Sequence, residues 1–224
     1  LLNRAHSPHQ AKEAILNAAK IGFKNISLDL IYATLGDTKE LLAHDIQTAF
    51  DLPINHLSAY ALTIEEGTAF ESKPQMAKEV LPLTSWVFNI IKENGFLQYE
   101  ISNFGTYKSA HNLGYWEYKD YIGVGCGAVG KLGVERLYPS KNLEEYIENP
   151  LAIEKETLST EDIKIEQIFL GFRSCVGVHT NIFNSEELKR TNLLVKEKKL
   201  TLLNDVFYNP DYLLADEITL FISF

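Results

Sequence analysis

The chain has 224 residues, 46% of them apolar and 23% charged, which excludes a disordered polymer and is ordinary for packed domains. Its formal net charge is −9, with 21 Lys and Arg against 30 Asp and Glu. That argues against a general nucleic-acid binder, whose phosphate contacts need a basic face. No apolar run reaches the roughly eighteen residues of a membrane-spanning helix, and no signal-peptide pattern opens the chain, so it reads as cytoplasmic. The two cysteines, Cys126 and Cys175, make neither a disulfide scaffold nor the thiolate set of a zinc or iron–sulfur site.

Taken in chain order, Ser7-Pro8-His9-Gln10 predicts a helix start, with Ser as N-cap, Pro at the first position and Gln completing a capping box. Ala11, Ile15, Ala18 and Ala19 share its buried face, and Gly22 suits its end. Asn25 to Ala33 reads as a strand, Asp37 to Phe50 as a helix with Leu42, Ile46, Ala49 and Phe50 inward, and His56 to Glu65 as a second strand. A third helix is expected over Met76 to Asn94, with Val80, Leu83, Val87, Ile90 and Ile91 as its stripe; Pro82 either kinks it or marks its first turn. Phe96 to Phe104 reads as a third strand, and a fourth apolar segment begins near Tyr121.

Strands alternating with helices imply an α/β fold with a parallel sheet. A closed (β/α)₈ barrel takes about 250 residues, and only three or four units fit before residue 130. The expectation is an open sheet, or a barrel without its first strands. The start at Leu1-Leu2-Asn3-Arg4, with no Met before the helix cap, reads as an N-terminal truncation. After about residue 135 the pattern changes to a short helix over Asn142 to Glu148, an amphipathic helix capped by Ser159 and Asp162, and a further helix capped by Asn184 and Glu187. Two β-like runs then flank Asn204-Asp205, and a final helix starts near Asp211. This resembles a winged-helix unit, yet residues 151–224 hold 8 basic and 12 acidic side chains, which favours packing against protein over binding DNA.

The cluster Gly123-Val-Gly-Cys-Gly-Ala-Val-Gly130 matches G-x-G-x-x-G and the opening of a Walker A loop. Both need a helix immediately afterwards; Gly133, Val134 and Pro139 follow instead, and Leu132 stands where the Walker Ser or Thr would be. The better reading is a bend where backbone approaches a ligand or another strand. Asp29 lies in an apolar strand, where a lone carboxylate is costly to bury. The residues leave it open between a loop-holding carboxylate at a solvated strand end and a functional one at the usual active-site face. Arg4 by itself reads as a surface charge. None of the six histidines makes an H-x-x-x-H pair. His111 opens the loop-like string His111-Asn112-Leu113-Gly114-Tyr115-Trp116; imidazole is a common heme ligand and flat aromatics suit a porphyrin face, although His and Trp packing a loop is the plainer reading of those residues alone.

A longer pattern carries more. Leu2-Asn-Arg4-Ala-His6-Ser7, Ile26-Ser-Leu-Asp29-Leu-Ile-Tyr32, His56-Leu-Ser58-Ala-Tyr60, Gln98-Tyr99-Glu100-Ile-Ser102-Asn103-Phe104 and His111-Asn112-x-x-Tyr115-Trp116 occur in this order. Together they resemble the radical S-adenosylmethionine proteins related to oxygen-independent coproporphyrinogen III oxidase. The Tyr-Glu-Ile-Ser-Asn and His-Asn-x-x-Tyr-Trp strings are similar to its heme chaperone branch, as is Leu213-Leu-Ala-Asp-Glu-Ile218. The resemblance implies a partial radical SAM (β/α) barrel over residues 1–135 and a small helical, winged-helix-like domain over 136–224. It implies S-adenosylmethionine and a [4Fe–4S] cluster as cofactors of the full-length protein, and heme as cargo for a heme-accepting partner; it leaves room for peripheral contact with a membrane.

By this resemblance Arg4 and Asp29 meet S-adenosylmethionine, a guanidinium suiting its carboxylate and a carboxylate its ribose hydroxyls or ammonium. His111 contacts the heme iron, and Tyr115 and Trp116 line the heme pocket. The family's C-x-x-x-C-x-x-C cluster motif is absent from this chain, which leaves open whether it acts as an enzyme, and its catalytic residues are not identified. Two family strings differ: Tyr-Gly-Leu-Pro-Gly-Gln-Thr reads Tyr32-Ala-Thr-Leu-Gly36-Asp-Thr38, and Gly-x-Gly-Pro-Gly-Ala-His reads Gly123-Val-Gly-Cys126-Gly-Ala-Val129. The alternative function is radical decarboxylation of coproporphyrinogen III propionates.

Overall fold

A computed structural model describes residues 5–68, 70–78 and 81–224. The chain divides into two compact units, Leu1–Lys108 and Ser109–Phe224, so residues 109–135 group with the C-terminal half.

The first unit is α/β. Helix α1 (Pro8–Ile21) begins with the expected capping box between Ser7 and Gln10 and ends at Gly22, whose φ of 111° is left-handed. Strand β1 (Ser27–Tyr32) leads to α2 (Lys39–Phe50), capped by Thr38 and burying Leu42, Ile46 and Ala49. Strand β2 (His56–Ala61) pairs parallel with β1, from Ser27 opposite His56 to Tyr32 opposite Ala61. Helix α3 covers Leu81–Glu93, shorter than the predicted span. Met76 belongs instead to a separate 3₁₀ turn, Pro74–Met76, and Pro82 falls in the helix's first turn, where a missing N–H costs nothing. The expected stripe residue Val80 lies outside the described residues.

The predicted third strand is broken. Its ends form β3 (Leu97–Gln98) and β4 (Asn103–Gly105), an antiparallel pair, and β4 runs antiparallel to β2. The sheet order is β1-β2-β4-β3, so only β1 and β2 keep the expected parallel pairing. At the break Glu100 is buried, 1% exposed, beside the Asn103 side chain and the backbone amides of residues 101–103. Tyr32, Leu42, Ile46, Leu57, Ile91 and Phe104 form the buried centre of this unit.

The second unit opens with α4 (Ala110–Trp116) and a three-stranded antiparallel sheet, β5 (Gly130–Leu132), β6 (Glu135–Pro139) and β7 (Ile153–Thr157), with α5 (Leu143–Glu148) between β6 and β7. The apolar segment expected near Tyr121 contributes only an isolated bridge to Lys131, and β7 has no counterpart in the sequence reading. Then come α6 (Thr160–Phe172), β8 (Val178–His179), α7 (Ser185–Lys196), β9 (Thr201–Leu203), β10 (Val206–Tyr208) and α8 (Ala215–Ser223). The small sheet β8-β10-β9 with α6 and α7 is the expected winged-helix arrangement. Both predicted capping boxes form, Ser159 with Asp162 and Asn184 with Glu187. Asn204 and Asp205 make the tight hairpin turn with φ of 51° and 61°. Ile168, Phe172, Leu194, Leu200, Phe207 and Ile222 pack at its centre.

Candidate functional site

In the first unit the sequence pointed to Asp29 and Arg4. Arg4 lies outside the described residues. Asp29 is the third of six residues in β1, mid-strand rather than at the C-terminal end. It is exposed and opens onto a groove of about 1160 Å³ lined by His6, Ala11, Ile15, Leu28, Asp37 and Asp45 among others. A carboxylate there escapes the burial penalty and is free to accept from hydroxyls or an ammonium.

Beneath it, His56 is buried with both ring nitrogens occupied, Nδ1 at 2.7 Å from Ser27 Oγ and Nε2 at 2.8 Å from Tyr99 Oη. Burial pushes its imidazole below the usual range, with the Asp29 charge opposing. With no lone pair to spare, His56 is a poor metal ligand. After β1, Ala33 is fully buried and takes a φ of 62°, a left-handed conformation, where the family string has glycine. Glu100 is 1% exposed; burial raises its carboxyl above the usual range, against the pull of the Asn103 side chain and the backbone amides.

In the second unit, the segment around His111 is helical rather than a loop. Ser109 caps α4 by accepting from the Asn112 N–H, and this local cap outweighs Gly114. His111 is exposed in the first turn, and Tyr115, one turn on, meets it edge-on at 5.0 Å between ring centroids. Tyr115 in turn meets Tyr121 at 4.7 Å. Trp116, five residues from His111, falls about 140° around the helix and so on another face. The structure therefore brings His111 and Tyr115 together and sets Trp116 apart from them.

The aromatic ladder leads to a cavity of about 270 Å³ that the sequence did not disclose, walled by Tyr118, Tyr121, Lys131, Arg136, Glu166 and Phe169 among others. A terminal nitrogen of Arg136 donates to both Glu166 oxygens at 2.5 and 2.7 Å, and Tyr118 Oη donates to Glu166 at 2.6 Å. Burial, followed by that bond and the Glu166 charge, pushes the Tyr118 phenol well up. Tyr118 also carries a φ of 57°, and a bulky side chain in that region costs about 1–3 kcal/mol unless its surroundings hold it. The clustering of Tyr115, Tyr118 and Tyr121 was a visible signal. Their partner Glu166 lies 48 residues beyond Tyr118 on α6, which no local pattern reveals.

The glycine cluster is the expected bend and not a phosphate loop, since strand β5 rather than a helix follows it. A Cβ on Gly123 would stand 1.9 Å from the Ala128 carbonyl oxygen, so two backbone segments touch there. Cys126, in place of the family's proline, donates its S–H to the Ser140 carbonyl at 3.3 Å. Among the described residues no group of three His, Cys, Asp or Glu could hold a metal ion, and no helix is long and apolar enough to cross a membrane.

The fold is mixed α/β, without a closed barrel among its described residues. Its structure matches coproporphyrinogen III oxidase (HemN) from Escherichia coli, a radical SAM enzyme, with a TM-score of 0.77 over 99% of this chain and 60% of that one, at 16% identity. No family model matches the chain. In sequence it is 30% identical over 221 residues to the heme chaperone HemW of Lactococcus lactis, covering 93% of this chain and 58% of that protein. It is 34% identical to HemW of Bacillus subtilis (81% and 52%) and 38% to HemW of Escherichia coli (58% and 36%). By these sequence matches the chain is HemW-like. It spans little more than half the length of the Lactococcus and Bacillus relatives.

Proposed function

We propose that this protein is a heme chaperone that binds heme at α4 and delivers it to a heme-accepting partner, with Arg4 and Asp29 on the side that meets S-adenosylmethionine. The observation that carries this reading is the exposed His111 imidazole, met edge-on by Tyr115, which in turn meets Tyr121 edge-on. A neutral imidazole has the lone pair an iron needs, and the rings beside it offer apolar area to a flat macrocycle. His56, a competing ligand, is engaged at both nitrogens, and the Nδ1 of His179, another, accepts from the Asn181 N–H.

S-adenosylmethionine suits the exposed carboxylate of Asp29, which would take its ribose hydroxyls or ammonium while the groove beside β1 accepts the rest. The [4Fe–4S] cluster does not fit this chain's residues, because two cysteines 49 positions apart cannot give it three thiolates. The radical oxidase reading rests on the shared fold, and that likeness at 16% identity carries no activity with it. Titrating wild type and His111→Ala with heme, followed at the Soret band, tests the proposal. The variant is expected to lose the ligation spectrum; an unchanged spectrum and affinity would remove His111 as ligand and favour the oxidase.

A further inference from the structure

We infer that the cavity walled by Tyr118, Lys131, Arg136, Glu166 and Phe169 is a carboxylate clamp that seats one propionate of a bound porphyrin. The inference rests on the reading of heme as the ligand and names where its anionic edge goes. In a chain of net charge −9, this cavity is lined by three cationic side chains, Lys119, Lys131 and Arg136, and by one carboxylate, Glu166, with Glu117 and Asp120 pairing the two lysines. Lys131 is the telling member. Its side chain is only 5% exposed, and its Nζ lies 2.9 Å from Asp120 and 4.3 Å from the centre of the Tyr118 ring. Keeping an ammonium there costs desolvation that only nearby negative charge or a π face offsets.

Arg136 spends one terminal nitrogen on Glu166, while its Nε is buried with no acceptor among the described residues. Lys131 already bonds Asp120 and the Gly133 carbonyl, so the idle donor is the Arg136 Nε–H; a carboxylate makes a charge-assisted bond to it and gains the field of the buried ammonium beside it. Size narrows the choice. About 270 Å³ is below the range of pockets that enclose a whole small molecule, so the cavity takes an arm of a ligand and not a macrocycle. Position completes it, because Tyr115, which meets the proposed iron ligand His111 at 5.0 Å between ring centroids, itself lines this cavity.

Heme and heme dimethyl ester, which keeps the iron and ring but lacks both carboxylates, should be titrated into wild type, Lys131→Met and the paired variant Arg136→Gln/Glu166→Gln, which removes both charges together. Wild type is expected to bind heme roughly 10-fold or more tightly than the ester, the worth of a charge-assisted bond. Lys131→Met should lose that preference while keeping the His111 ligation spectrum, and the paired variant should weaken heme binding without altering the ester. If wild type binds heme and ester alike while His111→Ala abolishes both, the clamp is wrong and the heme reading stands. If wild type binds neither, both fall. The wild-type comparison decides even where a variant fails to fold.

Discussion

Replacing His56 by Leu removes two hydrogen bonds from the interior of the first unit and makes a sharp test of how that unit is held. The imidazole is 3% exposed, bonded to Ser27 and Tyr99, with the rings of Tyr99 and Tyr107 packed at 5.7 and 5.3 Å. Leucine has similar bulk, so the loss is the two bonds, about 1 kcal/mol each or about 2 kcal/mol together. For a chain of this length roughly 2–4 °C accompanies each kcal/mol, so the melting temperature near neutral pH should fall by about 4–8 °C.

Acid adds a second reading of the same contact. Because burial depresses the His56 pKa, with Asp29 opposing, the folded chain takes up the proton less readily than the unfolded one. The stabilisation is complete above the ordinary imidazole value of about 6.5 and is lost as pH falls through the lower folded value. His56→Leu has no such titration, so the gap between wild type and variant should narrow on acidification. Calorimetric melting of both proteins from neutral to mildly acidic pH measures this. A gap that stays constant or widens would refute a buried neutral imidazole.

Gly171→Ala places a Cβ 2.4 Å from the Gly177 carbonyl oxygen and 2.5 Å from Val178 Cγ2, and should cost about 1–3 kcal/mol of stability, read as a lower urea midpoint; an unchanged midpoint would contradict the close packing of α6 on β8. Asp205→Gly relieves a φ of 61° in the β9–β10 turn and gives the favoured Asn-Gly pair, so stability should rise, by up to about 1 kcal/mol. A drop in thermal midpoint would count against that turn. Anaerobic iron and sulfide reconstitution of this chain should yield no stoichiometric [4Fe–4S] signal by absorption or electron paramagnetic resonance, for want of a third cysteine; such a signal would overturn the donor-count argument.

What the sequence by itself determined was local. The starts of α1, α6 and α7 follow from cap residues bonding to backbone three positions away, and the hairpin at Asn204-Asp205 from residues that tolerate a left-handed backbone. The bend at Gly123 was legible for the same reason, since a glycine cluster with no helix after it leaves few alternatives. The tertiary structure decided the rest. Phe96 to Phe104 looks like one strand until the chain turns back at a buried Glu100 and pairs its two ends antiparallel, and an apolar period carries no sign of that. His111 looks like a loop residue until Ser109 caps a seven-residue helix that sets it beside Tyr115 and turns Trp116 away. The cavity behind Tyr121 exists only because Arg136 and Tyr118 reach Glu166, 30 and 48 positions along the chain. A cap is closed by its own neighbours, but a buried charge must find its partner across the fold, and only the packed chain says where that partner stands.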